Sequence, residues 1–170
     1  TPIKSSAASD VYKRQALEGA LVSLTQMREK EGERLKGDLL ARMETIERLT
    51  EAIRVRAPGV AADYRKKLTE RIGEFLAGKV DETRILTEAA VFADKCNIDE
   101  ELTRLFSHIK AFRDICVLPE VGRKLDFLVQ EFNRECNTIC SKSSDQEVTA
   151  LALDMKNEIE KVREQIQNLE

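Results

Sequence analysis

Apolar residues recur along this chain at intervals of three and four, which is the spacing of one face of an α-helix. No segment alternates apolar and polar residues in the period-two pattern of a strand. The first apolar stripe begins at Ala16; residues 1–15 carry small polar side chains without a period, and we expect them to be disordered and non-native. The pattern predicts an all-α fold, a bundle of long helices with coiled-coil-like pairing.

Proline and glycine divide this pattern into predicted helices. Pro58 should end the first long helix or break it sharply, because proline lacks the N–H that a helix interior needs. Gly78 should close the next helix, and Asp81 should cap a third. These breaks predict a helical region over residues 16–80 and a C-terminal helical domain over 81–170.

Capping residues and proline also predict where the later helices begin. Asn97 or Asp99 should cap an acidic helix, and Pro119 should introduce the helix that follows it. Ser144 and Glu147 have the spacing of a capping box at the start of the last helix. A helix of about 40 residues would span about 60 Å, so we expect pairing within or between chains, and a homo-oligomer.

The segment from Gly122 to Lys142 combines an ordinary core stripe with an unusual polar one. Its opposite flank places short polar side chains at i, i+4, i+7 and i+11, with Arg123 and Arg134 beside them. Asn and Asp are poor helix formers, since their side chains compete for the backbone. Their presence predicts either a functional contact or a buried polar interface with another helix. The four residues are Asp126, Gln130, Asn133 and Asn137.

Composition narrows the possible partners. The chain has 170 residues with a net charge of −3, so no global basic field would hold nucleic acid, and only a local basic patch or cleft could do so. No apolar run is long enough to span a bilayer, and no signal segment is present. We therefore expect a cytoplasmic protein without membrane contact.

The four cysteines do not have the spacing of a structural zinc site. Cys136 and Cys140 are one turn apart on the apolar stripe, without the Cys-x-x-Cys loop. We expect buried free thiols rather than metal ligands.

Several linked motifs resemble the bacterial YicC/YloC endoribonuclease family. They are Gly122-Arg123-Lys124-Leu125-Asp126-Phe127, Gln130-Glu131, Asn133-Arg134-Glu135, Asn137-Thr138 and Ser141-Lys142, with Ile98-Asp99-Glu100-Glu101-Leu102, Arg104-Leu105 and Ser107-His108 upstream and residues 163–170 at the end. The resemblance runs from about Ala16 to Glu170 and is most specific from Asp94 onward. The family's N-terminal half has no counterpart here, so the resemblance implies a truncated member.

This resemblance implies a metal-dependent endoribonuclease that cleaves RNA phosphodiester bonds with Mn²⁺ or Mg²⁺. On the acidic helix, Glu101, Arg104 and His108 share one flank. If that helix packs on the signature helix, their polar flanks should border one cleft. The expected metal ligands are Glu101, His108 and Asp126, and Glu131 joins them as a catalytic residue. The expected RNA-binding residues are Arg104, Arg123, Lys124, Gln130, Asn133, Arg134, Asn137 and Lys142.

Other interpretations remain open at this point. His108, the single histidine, could be a boundary residue bonded to a neighbour. The Asp126 stripe could order a bundle or oligomer through a polar interface. The alternative function is a non-catalytic helical oligomerisation or RNA-binding module.

Overall fold

The computed structural model describes residues 3–76, 82–118 and 121–167. All regular structure in these ranges is helical, which confirms the all-α prediction. The helices are α1 (Ile3–Leu76), α2 (Glu82–Lys95), α3 (Asp99–Ile115), α4 (Gly122–Lys142) and α5 (Gln146–Gln167). Gly78, Asp81 and Pro119, for which helix boundaries are predicted, lie outside the described residues. None of the described helices is long and apolar enough to cross a membrane.

The chain forms two compact units, Thr1–Asp38 and Leu39–Glu170. The sequence predicts divisions after residues 15 and 80, and these stay predictions. In the first unit, α1 already begins at Ile3, where the sequence predicts disorder. The physical reason is that extending an existing helix adds one hydrogen bond per residue without a new nucleation cost, and this segment holds no glycine.

Helix α1 continues through Pro58, so the predicted break there is wrong. Proline in a helix interior costs about 3 kcal/mol, and neighbouring contacts offset that cost. Ala57 and Val60 pack against the core on either side of it. The guanidinium of Arg56 pairs with Asp63 at 2.6 Å and with Asp145 of α5 at 2.7 Å.

The core of the second unit is shared by α1, α3, α4 and α5. Helix α4 packs against α3 on one side and against α5 on the other. The rings of Phe112 and Phe132 lie 6.3 Å apart between α3 and α4. At the surface, Arg42 of α1 pairs with Glu158 of α5 at 3.0 Å. The largest fully buried side chains are Phe112, Phe132, Leu39, Met43, Ile46, Ile53, Leu105, Ile109, Leu125, Ile139, Met155 and Ile159.

Two helix starts differ in detail from their predictions. Helix α3 begins at Asp99, whose N–H donates to the Asn97 side chain at 2.9 Å, although the residue at the cap position itself is Ile98. Helix α5 is capped by Asp145 rather than by Ser144. The Asp145 carboxylate accepts the Val148 N–H at 3.0 Å, which puts Val148 at the position where a capping box needs Glu or Gln; Glu147 pairs with Arg56.

Candidate functional site

A line of charged pairs joins α3 to α4. Lys142 Nζ contacts Glu101 Oε1 at 2.9 Å and donates to the Asn97 carbonyl at 3.0 Å. Further along, Arg104 Nη1 lies 3.4 Å from Glu135 Oε1. These contacts place the start of α3 beside the end of α4, so the two helices are antiparallel. Two carboxylates, Glu101 and Glu135, are buried in this seam, with 5% and 2% of their surface exposed.

A cluster of possible metal ligands follows next along the seam. His108, Glu131 and Glu135 each offer one ligand atom, and these atoms all lie within 4.8 Å of one another. Phe132 packs edge-on against the imidazole, with ring centroids 5.9 Å apart. In the described part of the chain, His108 Nε2 is buried without a hydrogen-bond partner. We call these three residues the seam cluster.

The seam cluster fits a divalent cation on chemical grounds. Neutral imidazole and two carboxylates form a donor set that several divalent metals accept. Two carboxylates held this close repel each other unless a positive charge lies between or beside them. His108 also carries a buried Nε2 without a hydrogen-bond partner, which is unusual for a polar atom inside a protein.

The unusual polar stripe of α4 lies in a different place. It lines an open groove between α4 and α5, with a volume of about 740 Å³. Within the groove, Gln130 Nε2 donates to Asp126 Oδ2 at 2.9 Å, and Lys156 Nζ donates to Asn137 Oδ1 at 3.0 Å. The groove is lined by Asp126, Val129, Gln130, Asn133, Arg134, Asn137, Thr138, Arg163 and Gln167.

The seam cluster and the groove occupy opposite flanks of the α4 core stripe. Asp126 and Glu131 are five residues apart, which places them about 140° apart around a helix of 3.6 residues per turn. The structure therefore does not bring Asp126 together with His108, and the two polar flanks do not border one cleft. Arg134 lies between the two regions: it lines the groove, and its Nη1 is 3.9 Å from Glu131 Oε2.

Comparison with known proteins identifies the family. Residues 53–170 match the family described as "Endoribonuclease YicC-like, C-terminal". A protein of Clostridioides difficile (strain 630) named "Probable endoribonuclease YicC" is 45% identical over 159 residues, covering 92% of this chain and 54% of that protein. One of the same name from Haemophilus influenzae is 39% identical over 156 residues, covering 91% and 54%. The chain belongs to the YicC-like endoribonuclease family. It spans about half the length of these curated relatives.

Within this YicC-like chain, the structure distributes the residues expected to bind metal over three environments. Glu101 is held by Lys142, His108 lies in the seam cluster, and Asp126 bonds Gln130 in the groove. The predicted set of Glu101, His108 and Asp126 stays a prediction. Glu131, expected to be catalytic, is the second member of the seam cluster.

The residues expected to bind RNA are also divided. Gln130, Asn133, Arg134 and Asn137 line the groove, whereas Arg104 and Lys142 lie in the seam. Arg123 lines a smaller cavity of about 230 Å³ next to the groove, and Lys124 is exposed.

Sequence reasoning missed three residues of these regions. Glu135 lies on the same side of α4 as Glu131, four residues away, and this spacing is the signal that could have identified it. Arg163 and Gln167 of α5 are not among the predicted site residues, although both line the groove. Their positions in the groove depend on which helix packs beside α4, and the sequence does not contain that information directly.

The burial predicted for the cysteines holds for two of the four. Cys116 and Cys136 are buried, and Cys96 and Cys140 are half-buried. Cys136 Sγ contacts the Ala152 carbonyl at 3.1 Å. Burial, together with the neighbouring Cys140, raises the pKa of Cys136 to about 12.

Proposed function

We propose that this chain carries the cleavage centre of a metal-dependent endoribonuclease, and that the seam cluster is that centre. The observation that carries the proposal is the convergence of His108, Glu131 and Glu135 within 4.8 Å. It falls inside the residues that match the YicC-like family, whose curated relatives are named as probable endoribonucleases.

The seam cluster would hold a divalent ion such as Mn²⁺ or Mg²⁺. Such an ion would polarise a phosphoryl oxygen and make bound water a better nucleophile. The protein's own contribution is orientation. Phe132 packs against the His108 ring. Arg104 is partly exposed, and its Nη1 lies 3.4 Å from Glu135 Oε1. These neighbours fix the ligand side chains before metal binds.

RNA would be held beside this centre by the cations and amides of α4. The net charge of the chain is −3, so local groups must supply the attraction. Arg134 is well placed for this role because it is exposed and reaches towards both Glu131 and the groove. The groove amides offer donors and acceptors that can meet sugar, phosphate or base edges.

The proposal is tested by incubating the chain with a short end-labelled RNA. Cleavage should occur with Mn²⁺ or Mg²⁺ and should stop when EDTA is added. Glu135→Gln and His108→Ala should abolish most of the metal-dependent cleavage, because each removes one of three ligands. Glu88→Gln, an exposed carboxylate of α2, is the matched control and should cleave at the parent rate. Cleavage that resists EDTA, or parent activity in both seam variants, would refute the assignment.

A second candidate function is a non-catalytic oligomerisation or RNA-binding module. It is favoured by large apolar side chains that are exposed along α1 in the first unit, among them Val11, Leu17, Leu21, Leu24 and Met27. Such a surface suits pairing with a second copy of the chain. Concentration-dependent association, with RNA binding but no cleavage under any metal condition, would support this alternative over the nuclease.

A further inference from the structure

Phe127 exposes an aromatic ring on α4. Its surface is 61% exposed, whereas the other aromatic side chains described in the second unit are buried or half-buried. A single exposed apolar residue is ordinary in a folded protein. The position of this one, rather than its exposure, is informative.

Phe127 lies on the arc of α4 between the groove and the seam cluster. At 3.6 residues per turn it is about 100° from Asp126 on one side and about 40° from Glu131 on the other. Glu131 follows one turn later, and Arg123 precedes by one turn. Any strand that contacts both the groove and the seam cluster must cross this arc.

The surroundings of the ring are cationic and polar. Arg123, Lys124 and Arg134 are all exposed on the same helix. In the part of the chain that the structure describes, Arg123 and Lys124 form no ion pair, so their charges are available to an anionic partner. Cations one turn or less from the ring favour an anionic partner over an apolar protein surface.

We propose that Phe127 is a stacking platform for one unpaired base of an RNA strand that crosses α4 from the groove to the seam cluster. The proposal rests on the nuclease function and deepens it by naming the side chain of α4 that contacts a base. Stacking requires a free base face, which a duplex hides within its own stack. The flanking cations would hold the adjacent phosphates, and contact of this kind tolerates any base.

The chain has no tryptophan, so Phe127→Trp would introduce a single indole as a reporter. In EDTA, which separates binding from cleavage, a short single-stranded RNA should quench its fluorescence, and a perfect duplex of the same sequence should not. Leu86→Trp places an indole at a comparably exposed site on α2 and is the control, with no quenching expected. A labelled RNA followed by anisotropy reports binding independently.

The affinity of the same single strand provides a second measurement. Phe127→Ala should weaken it by about 5- to 150-fold, the range for losing one base–aromatic stack. Phe127→Tyr should keep most of the affinity, because the ring remains. Duplex affinity should change little in either variant.

The other outcomes of these measurements would overturn the stacking proposal alone or both proposals. RNA binding with an unquenched Phe127→Trp indole would overturn the stacking proposal and leave the nuclease function standing. A changed oligomeric state in Phe127→Ala would assign the ring to a contact between copies instead, which also overturns it. No RNA binding and no cleavage by the parent chain would refute both proposals.

Discussion

Replacing Glu135 with Gln should affect stability differently with and without a divalent metal. Glu131 and Glu135 present ligand atoms within 4.8 Å of each other. Two like unit charges at that distance repel by about 3.5 kcal/mol at an effective dielectric constant of 20. Arg104, 3.4 Å from Glu135, offsets part of this repulsion.

Without metal, the substitution removes both a repulsion and an attraction. The Gln amide has nearly the same shape and can donate to Glu131, while the charge pairing with Arg104 is lost. Since these changes oppose each other, we expect the unfolding free energy in EDTA to stay within about 1 kcal/mol of the parent value.

With metal, the parent chain should gain stability that the variant lacks. A ligand at 100 times its Kd stabilises the folded state by about 2.7 kcal/mol, which raises the Tm of a chain of this size by about 5–11 °C. Losing one of three ligands should weaken affinity at least as much as losing an outer-shell partner, roughly 10- to 100-fold. A 100-fold loss would leave only about 0.4 kcal/mol at the same metal concentration.

Thermal unfolding followed by circular dichroism, with Mn²⁺ titrated against EDTA, measures both effects. Glu88→Gln is the control and should show the full metal-dependent rise in Tm. The reasoning is refuted if Glu135→Gln gains as much from metal as the parent does, or if millimolar Mn²⁺ leaves the parent Tm unchanged.

Three further predictions concern other parts of the second unit. Asp145→Ala should lower the unfolding free energy by about 0.5–2 kcal/mol in urea denaturation, the usual cost of losing a helix cap. Desolvation acts to raise the Asp145 pKa, but the Val148 N–H and the Arg56 guanidinium outweigh it and lower the pKa. Its contribution is therefore present above about pH 4 and lost as pH falls through the lowered pKa, so Asp145→Asn should show a flatter acid limb. Iodoacetamide at pH 8 should leave Cys136 unmodified in the native protein, as seen by peptide mass mapping, because its pKa is about 12; modification at the rate of the half-buried thiols would contradict this. Arg134→Gln should reduce the slope of log affinity for RNA against log salt by about 0.7 for a single strand, and an unchanged slope would indicate a structural role.

The sequence predicts most of the fold because helix periodicity is a local property. The core stripe predicted for α4, from Leu125 to Ile139, is buried in the structure. Errors occur where a distant residue decides a local outcome. Pro58 is accommodated within α1, where the neighbouring Arg56 pairs with Asp145, 89 positions away along the chain. Asp145 also caps α5 through its other carboxylate oxygen.

The candidate site could be predicted only in part for a related reason. The resemblance to the YicC/YloC family implies His108 and Glu131 as site residues, and sequence spacing gives the angle of each residue around its own helix. Spacing does not show which neighbouring helix faces that angle. The structure places Asp126, expected beside His108, in the groove beside α5, and it brings Glu135, which spacing alone does not indicate, into contact with α3.

The charged pairs between α3 and α4 also determine how far the two helices can slide past one another. Moving α4 by seven residues, or about 10 Å, would exchange Lys142 for Glu135 opposite Glu101. Two buried carboxylates would then meet without the Lys142 cation, at a cost that an apolar stripe alone would not impose. The charged contacts therefore disfavour this shifted alignment more strongly than the apolar residues alone would. During folding, a pairing of α3 and α4 shifted in this way would therefore be less stable than the native one. The native pairing is the one that brings the ligand side chains of the seam cluster together.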